Sequence, residues 1–344
     1  MNKIYKVILR LFQQVNYYIY KYHLINKRNI LSEIDFDMER LPNTFVKGMS
    51  REIRINKKFP AGKAFNIEVE GNNLTIEVLY KFRRLLNNMN NQGTSGIDIY
   101  ILNQKGKYIW KETLAPSKDY QMFVKKVVYL DGENNKLKFI MPSFAIVEGI
   151  FLSQYRAVRV GEDEDIDIVA YGSSITHGCA ASRPGLSYLN QISNLLGCGI
   201  LNYGFSEAAK GEEKLLRYIS LVPAKVFIME YDHNVSVDEL ERTHKKAYET
   251  IRMNFKGWII MLSRFSGGLS IAYDEEMRRI EIIQNTYKYA KSIGDQQIIF
   301  YNGSRLFGDN KECYFIDKVH PNDEGMTVIA NKIFTLIQEK GMLK

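Results

Sequence analysis

The stretch Ile166-Asp-Ile-Val-Ala-Tyr-Gly-Ser-Ser-Ile-Thr-His-Gly178 decides how this chain is read. An apolar run of strand length breaks at Gly172, presents Ser173 and Ser174, and passes into small and polar residues. Open α/β sheets form their sites beyond the carboxyl ends of their strands, so two serines at such an end ask which of them does chemistry.

Downstream, apolar runs at 166–171, 199–203, 225–230, 257–262 and 297–302 read as strands. Helical spacing fills the intervals near 185–196, 210–221, 236–254 and 274–293, with a last helix at 323–339. Ser236-Val-Asp-Glu239 has the S-x-x-E form of a capping box. Strand–helix alternation predicts a parallel sheet with helices on both faces. The strand ends then gather on one rim: Ser173 and Ser174, Gly204-Phe-Ser-Glu207, Tyr231-Asp-His-Asn234, and Ser263-Arg264. Asp317-Lys-Val-His320 joins them from the segment before the last helix.

Upstream, residues 36–160 read differently. Ala64-Phe-Asn-Ile-Glu-Val69, Leu74-Thr-Ile-Glu-Val-Leu79, Ile97-Asp-Ile-Tyr-Ile101, Lys125-Lys-Val-Val-Tyr-Leu130 and Lys136-Leu-Lys-Phe-Ile140 alternate or are β-branched. Turn signals separate them, which predicts an all-β sandwich of jelly-roll type. The acidic stretch Gly161-Glu-Asp-Glu-Asp165 reads as a solvated linker. The expected division is a basic helical segment at 1–35, a β-sandwich at 36–160 and an α/β domain at 165–344.

The formal charge of +8 invites a nucleic-acid partner, but six of those charges lie in residues 1–30, which hold no acid. The rest of the chain is nearly balanced, so no nucleic acid is expected. In that first segment Ile4, Val7, Ile8, Leu11, Val15, Tyr18, Ile19 and Tyr22 fall on one helix face, with Lys3, Lys6, Arg10 and Lys21 on another. Arg10 interrupts the apolar region, so neither a spanning helix nor a signal peptide fits. The apolar face either packs on the body of the protein or a second subunit, or lies on an anionic membrane; packing is the plainer reading. Three cysteines without CxxC spacing point to a reducing, cytoplasmic compartment, with peripheral contact at the inner face of the membrane as the variant. The five histidines form no HExxH or Cys/His cluster, so no metal or other cofactor is expected. The 22 tyrosines are scattered and read as packing.

Asp317-x-x-His320 ahead of a helix can hold an imidazole tautomer while the other ring nitrogen acts as base, and a rim serine can supply the nucleophile. His233, His177 and Cys179 have no such partner in sequence. His177 reads as a first-turn helix residue or a substrate contact, and Arg264 as a ligand for a substrate carboxylate or hydroxyl or as an ion-pair partner.

In this order the residues resemble the SGNH/GDSL hydrolases. Gly172-Ser-Ser-Ile-Thr176 is similar to their first block, Gly-Asp-Ser-x-Thr. Asn234 resembles the third block, and Asp317-Lys-Val-His-Pro-Asn-Asp-Glu-Gly325 the fifth. Arg40-Leu-Pro42, Thr94-Ser-Gly-Ile-Asp-Ile-Tyr100, Ser182-Arg-Pro-Gly185 and Met261-Leu-Ser-Arg264 resemble the subgroup with an N-terminal β-sandwich. The resemblance implies a flavodoxin-like three-layer domain with Ser174 as nucleophile, His320 as base and Asp317 orienting it. It also implies an oxyanion hole from the Ser174 N–H, the Asn234 amide and a backbone N–H of the second block. That block usually reads Asn-x-Gly-x-Ser-Gly; here Asn202-Tyr-Gly-Phe-Ser-Glu207 puts Glu207 at the donor glycine. Either its side chain turns to solvent, the favoured reading, or the hole is weakened. Asp232-His233 stand where a glycine usually precedes the third-block Asn. The implied activity is a serine esterase releasing a small acyl group, acetyl first, from a glycan or related metabolite. The alternatives are an O-acyltransferase with the same triad and a glycan-binding protein with a decayed site.

Overall fold

The computed structural model describes residues 3–26, 32–34, 36–161, 165–266 and 271–344. The core of the acidic stretch, 162–164, lies outside them. Two compact units emerge. One comprises Met1–Pro42, Lys57–Asp163 and Ser182–Gly185; the other comprises Asn43–Asn56, Glu164–Ala181 and Leu186–Lys344.

The first unit opens with α1 (Lys3–Ile25). Among the described residues nine strands follow: β1 (Ser32–Glu33), β2 (Ala64–Glu70), β3 (Asn73–Arg83), β4 (Ile97–Leu102), β5 (Tyr108–Leu114), β6 (Phe123–Tyr129), β7 (Asn134–Ile140), β8 (Ala145–Ser153) and β9 (Ala157–Val160). Their antiparallel pairs nest: β4 with β5, β3 with β6, β2 with β7, β1 with β8. The chain thus behaves as one long hairpin rolled on itself. Cross-links β3–β8 and β4–β7 split it into sheets of order β1-β8-β3-β6 and β5-β4-β7-β2-β9. That is a jelly roll. Alternation does the work: in β2, Phe65, Ile67 and Val69 turn inward to a core shared with Ile76 and Val78 of β3 and Leu137 and Phe139 of β7.

Two of the stretches singled out in the sequence meet inside this unit. Asp98 of β4 is fully buried and accepts from Arg183 Nη1 at 2.6 Å, the Gly185 N–H at 2.8 Å and Thr113 Oγ1 at 2.5 Å. Arg183 also donates to the Tyr100 hydroxyl and lies over the Trp110 ring. A buried carboxylate is tolerable only with such partners.

Helix α1 does not pack its expected apolar face on its own unit. Its docked side holds Leu9, Gln13, Tyr17 and Leu24, with Gln13 donating to the Asp119 carbonyl and Asn16 accepting from the Met122 N–H. Tyr20 stacks on Phe123. Ile4, Leu11, Val15, Tyr18, Ile19 and Tyr22, read as the packing face, point away from the unit and are exposed. The docked side carries amide side chains that meet the Asp119 carbonyl and the Met122 N–H alongside its apolar contacts.

The second unit is built on β10 (Ile166–Gly172), β11 (Gly199–Gly204), β12 (Val226–Glu230), β13 (Trp258–Leu262) and β14 (Ile298–Tyr301), all parallel, in the order β11-β10-β12-β13-β14. Earlier in the chain, the jelly-roll unit carries α3 (Asn91–Ser95), while α2 (Arg51–Asn56) belongs to this second unit. The remaining helices are α4 (Ser174–His177), α5 (Tyr188–Leu196), α6 (Glu213–Ile219), α7 (Val237–Asn254), α8 (Tyr273–Ser292) and α9 (Asp323–Glu339). Ile168, Ala170, Val226, Ile228 and Ile260 share a core with α5 and α9. Tyr171, on the opposite face, packs on Tyr231, which stacks on His244 of α7. The predicted capping box of α7 is formed in full by Ser236 and Glu239. This is the flavodoxin-like order, and strand order reverses about β10, the position where such sheets bind ligands.

Candidate active site

Strand β10 ends in a turn with almost no free space. A Cβ on Gly172 would lie 2.2 Å from Thr176 Oγ1 and 2.4 Å from the Glu230 carbonyl oxygen; one on Gly204 would lie 2.2 Å from the His177 nitrogen. Glycine at both positions lets β10, β11 and α4 close on one another. Ser173 caps α4, its hydroxyl accepting from the Ile175 N–H at 3.1 Å. The next residue, Ser174, is 8% exposed at the head of the helix.

Beneath this turn lies a group that the sequence reading did not single out. The Glu230 carboxyl, at the end of β12, is buried and meets Ser173 Oγ at 2.8 Å, Thr176 Oγ1 at 2.7 Å and the Ser173 N–H at 3.2 Å. It therefore ties down residues on both sides of Ser174. Burial raises its pKa to about 7, against hydrogen bonds from Thr176 and Ser173 that favour the carboxylate. The available signal was a glutamate closing the otherwise apolar run Val226-Phe-Ile-Met-Glu230.

The other half of the site comes from the segment before α9. Asp317 Oδ1 accepts from the N–H groups of Val319 and His320 at 2.8 and 2.7 Å, forming a tight local turn. Its Oδ2 lies 2.9 Å from His320 Nδ1. A bridge between Phe315 and Pro321 closes the loop, and Asn322 caps α9 through the Gly325 N–H. With Nδ1–H given to Asp317, His320 Nε2 accepts the Ser174 hydroxyl, which stands 2.8 Å away. A hydroxyl, an imidazole and a carboxylate are thus aligned in sequence.

The loop after β11 approaches the same place. Glu207 has φ +62°, the left-handed backbone that a glycine adopts without strain, and its side chain is exposed to solvent. Among the described residues, neither the Ser174 nor the Glu207 backbone N–H donates a hydrogen bond. Asn234 Nδ2 donates to the Phe205 carbonyl at 3.1 Å, which ties the third-block residue to the second-block loop.

The side chains of the remaining candidates are buried. His177 is 1% exposed and its Nδ1 accepts from the Ser206 N–H at 3.3 Å. It braces the loop that carries Glu207, and Gly204 packs directly against its backbone. His233 is buried and held neutral, its pKa driven well below the ordinary value by desolvation; its Nε2 accepts from the Phe265 N–H. Arg264 is buried at the end of β13. Its N–H donates to Asp232 Oδ2 at 2.9 Å, and its Nε has no hydrogen-bond partner among the described residues. Burial lowers its pKa, with Asp232 opposing. Among the described residues no cluster of His, Cys, Asp and Glu could hold a metal ion, and no helix is long and apolar enough to cross a membrane.

Residues 165–338 match the family model of the GDSL-like lipase/acylhydrolase family. The chain belongs to that family. Residues 16–152 match a second model, the N-terminus of SGNH-hydrolase-type esterases. A GDSL-like lipase from Bacteroides ovatus superposes with a TM-score of 0.82 at 21% identity, over 90% of this chain and 94% of its own. The salicylyl-acyltransferase SsfX3 from a tetracycline biosynthetic pathway superposes with a TM-score of 0.73 at 14% identity, over 92% of this chain and 95% of its own. At these identities the likeness concerns the fold, jelly roll included. No curated protein sequence matches the chain.

Proposed function

We propose that this GDSL-family protein is a serine esterase that removes a small acyl group, acetyl first, from a carbohydrate or related metabolite. The carrying observation is the relay from Ser174 Oγ through His320 to Asp317, at 2.8 and 2.9 Å. Ser174 Oγ attacks the ester carbonyl carbon as His320 Nε2 takes the hydroxyl proton, and Asp317 stabilises the imidazolium. The carbonyl oxygen becomes an oxyanion beside the N–H groups of Ser174 and Glu207 and the Asn234 amide. Collapse breaks the ester C–O bond, and His320 returns its proton to the leaving alcohol. Water, activated by the same imidazole, then releases the acyl group as its acid and regenerates Ser174.

A nucleophile only 8% exposed favours a short acyl chain. The polar side chains of Asn234 and His320 suit a hydroxyl-rich leaving group. The test is release of p-nitrophenol from p-nitrophenyl acetate by the wild type, Ser174→Ala and His320→Ala. Both substitutions should abolish turnover; equal rates would remove the triad from the mechanism. Transfer to a sugar hydroxyl is the second reading, favoured by the shared fold of a named salicylyl-acyltransferase. Product analysis with acetyl donor and glycan acceptors separates them, since transfer outpacing hydrolysis makes the protein a transferase.

A further inference from the structure

We infer that the outward face of α1 is a docking surface for an anionic lipid bilayer, on which the helix lies parallel to the membrane. The helix is already held: Gln13, Asn16, Tyr17 and Leu24 fasten its inner side, and Lys21 Nζ pairs with Glu148 at 2.7 Å. Its outer side takes little part in docking to its own unit, where Phe12 meets the Tyr120 ring. Eleven large apolar side chains of this helix are exposed, from Tyr5 at 45% to Tyr22 at 71%. Half-exposed side chains of this size contribute on the order of 100 Å² each. The stripe thus reaches roughly 1,000 Å², beyond the few hundred that soluble monomers usually leave bare.

Charge selects the occupant. Residues 1–30 carry six basic groups and no acid. Lys6 and Arg10 are exposed as well, on the basic side of the helix rather than within the stripe. Two copies packed through this face would oppose basic helices with no acidic partner. An anionic bilayer meets the same pattern with favourable charge. Tyr18 and Tyr22 add the amphipathic rings that settle at headgroup level. No described helix is apolar enough to cross the membrane, so the geometry is that of a helix lying in the interface.

The test is co-sedimentation of the full chain with phosphatidylcholine–phosphatidylserine vesicles, with phosphatidylcholine vesicles as reference. The wild type should pellet with the anionic vesicles at low salt and be released at high salt. Val15→Glu with Ile19→Glu should abolish binding while leaving the melting temperature and hydrolysis of a soluble ester unchanged, because both side chains are exposed. Lys6→Gln with Arg10→Gln should weaken binding about 25-fold. A wild type that stays in the supernatant overturns the inference, as does a Val15/Ile19 variant that still pellets. A concentration-dependent dimer dissolved by that variant, without vesicle binding, assigns the face to a second copy instead.

Discussion

The turn carrying Ser174 and the loop carrying His320 meet across one hydrogen bond, yet the chain holds them by different means. Ser173, Thr176 and Glu230 are buried around the nucleophile, and two glycines press the strands and helix together beneath it. The imidazole is held by a turn of four residues at the surface, where Asp317 keeps 39% of its side chain exposed. One arm is positioned by the core of the sheet, the other by local backbone hydrogen bonds. Catalytic groups need placement within a fraction of an ångström, and the two arms reach it by packing and by turn geometry respectively.

Three measurements press on that contrast. The largest effect belongs to the nucleophile. Ser174→Ala should lower kcat for p-nitrophenyl acetate by at least ~10⁴-fold, and Asp317→Ala should cost about 10- to 100-fold less. Equal losses would mean that the exposed arm is as tightly coupled as the buried one.

Glu230 comes second. Its pKa, raised by burial from 4.5 to about 7, means that the folded state prefers the protonated acid. The corresponding stability is fully present below about pH 4.5 and is lost as pH rises through about 7, a change of about 3 kcal/mol. Glu230→Gln cannot ionise. Its melting temperature should therefore fall less than that of the wild type between pH 5 and pH 8, and parallel curves would count against a buried acid under the nucleophile.

The smallest effect is at Glu207. Glu207→Gly should relieve the left-handed backbone and raise stability by about 1 kcal/mol in thermal melting, with ester hydrolysis changed no more than a few-fold. A large gain in rate would show that the glutamate obstructs the oxyanion site.

Much of this molecule was legible before any coordinates. The strand–helix rhythm after residue 165 gave the parallel sheet, and Ser236 with Glu239 announced the start of α7. Asp317-x-x-His320 could be read as a unit because its geometry is local: a short turn brings the carboxylate to both the backbone and the ring of the same histidine. The nested strand pairs of the jelly roll could be expected only as a sandwich, since alternation reports that a strand has two faces and is silent on its partner.

What the sequence determined by itself was therefore whatever depends on neighbours a few residues apart: periodicities, caps, turns and the order of the blocks. The tertiary structure alone decided that Glu230 supports the nucleophile turn, that His177 meets the Ser206 N–H, that Asp98 finds Arg183, and that α1 turns its apolar face outward. Each of these is a pairing across strands or between segments far apart in the chain. A pattern along the chain marks which side chains are apolar or charged, but the partner that meets them is fixed only when packing brings distant segments together.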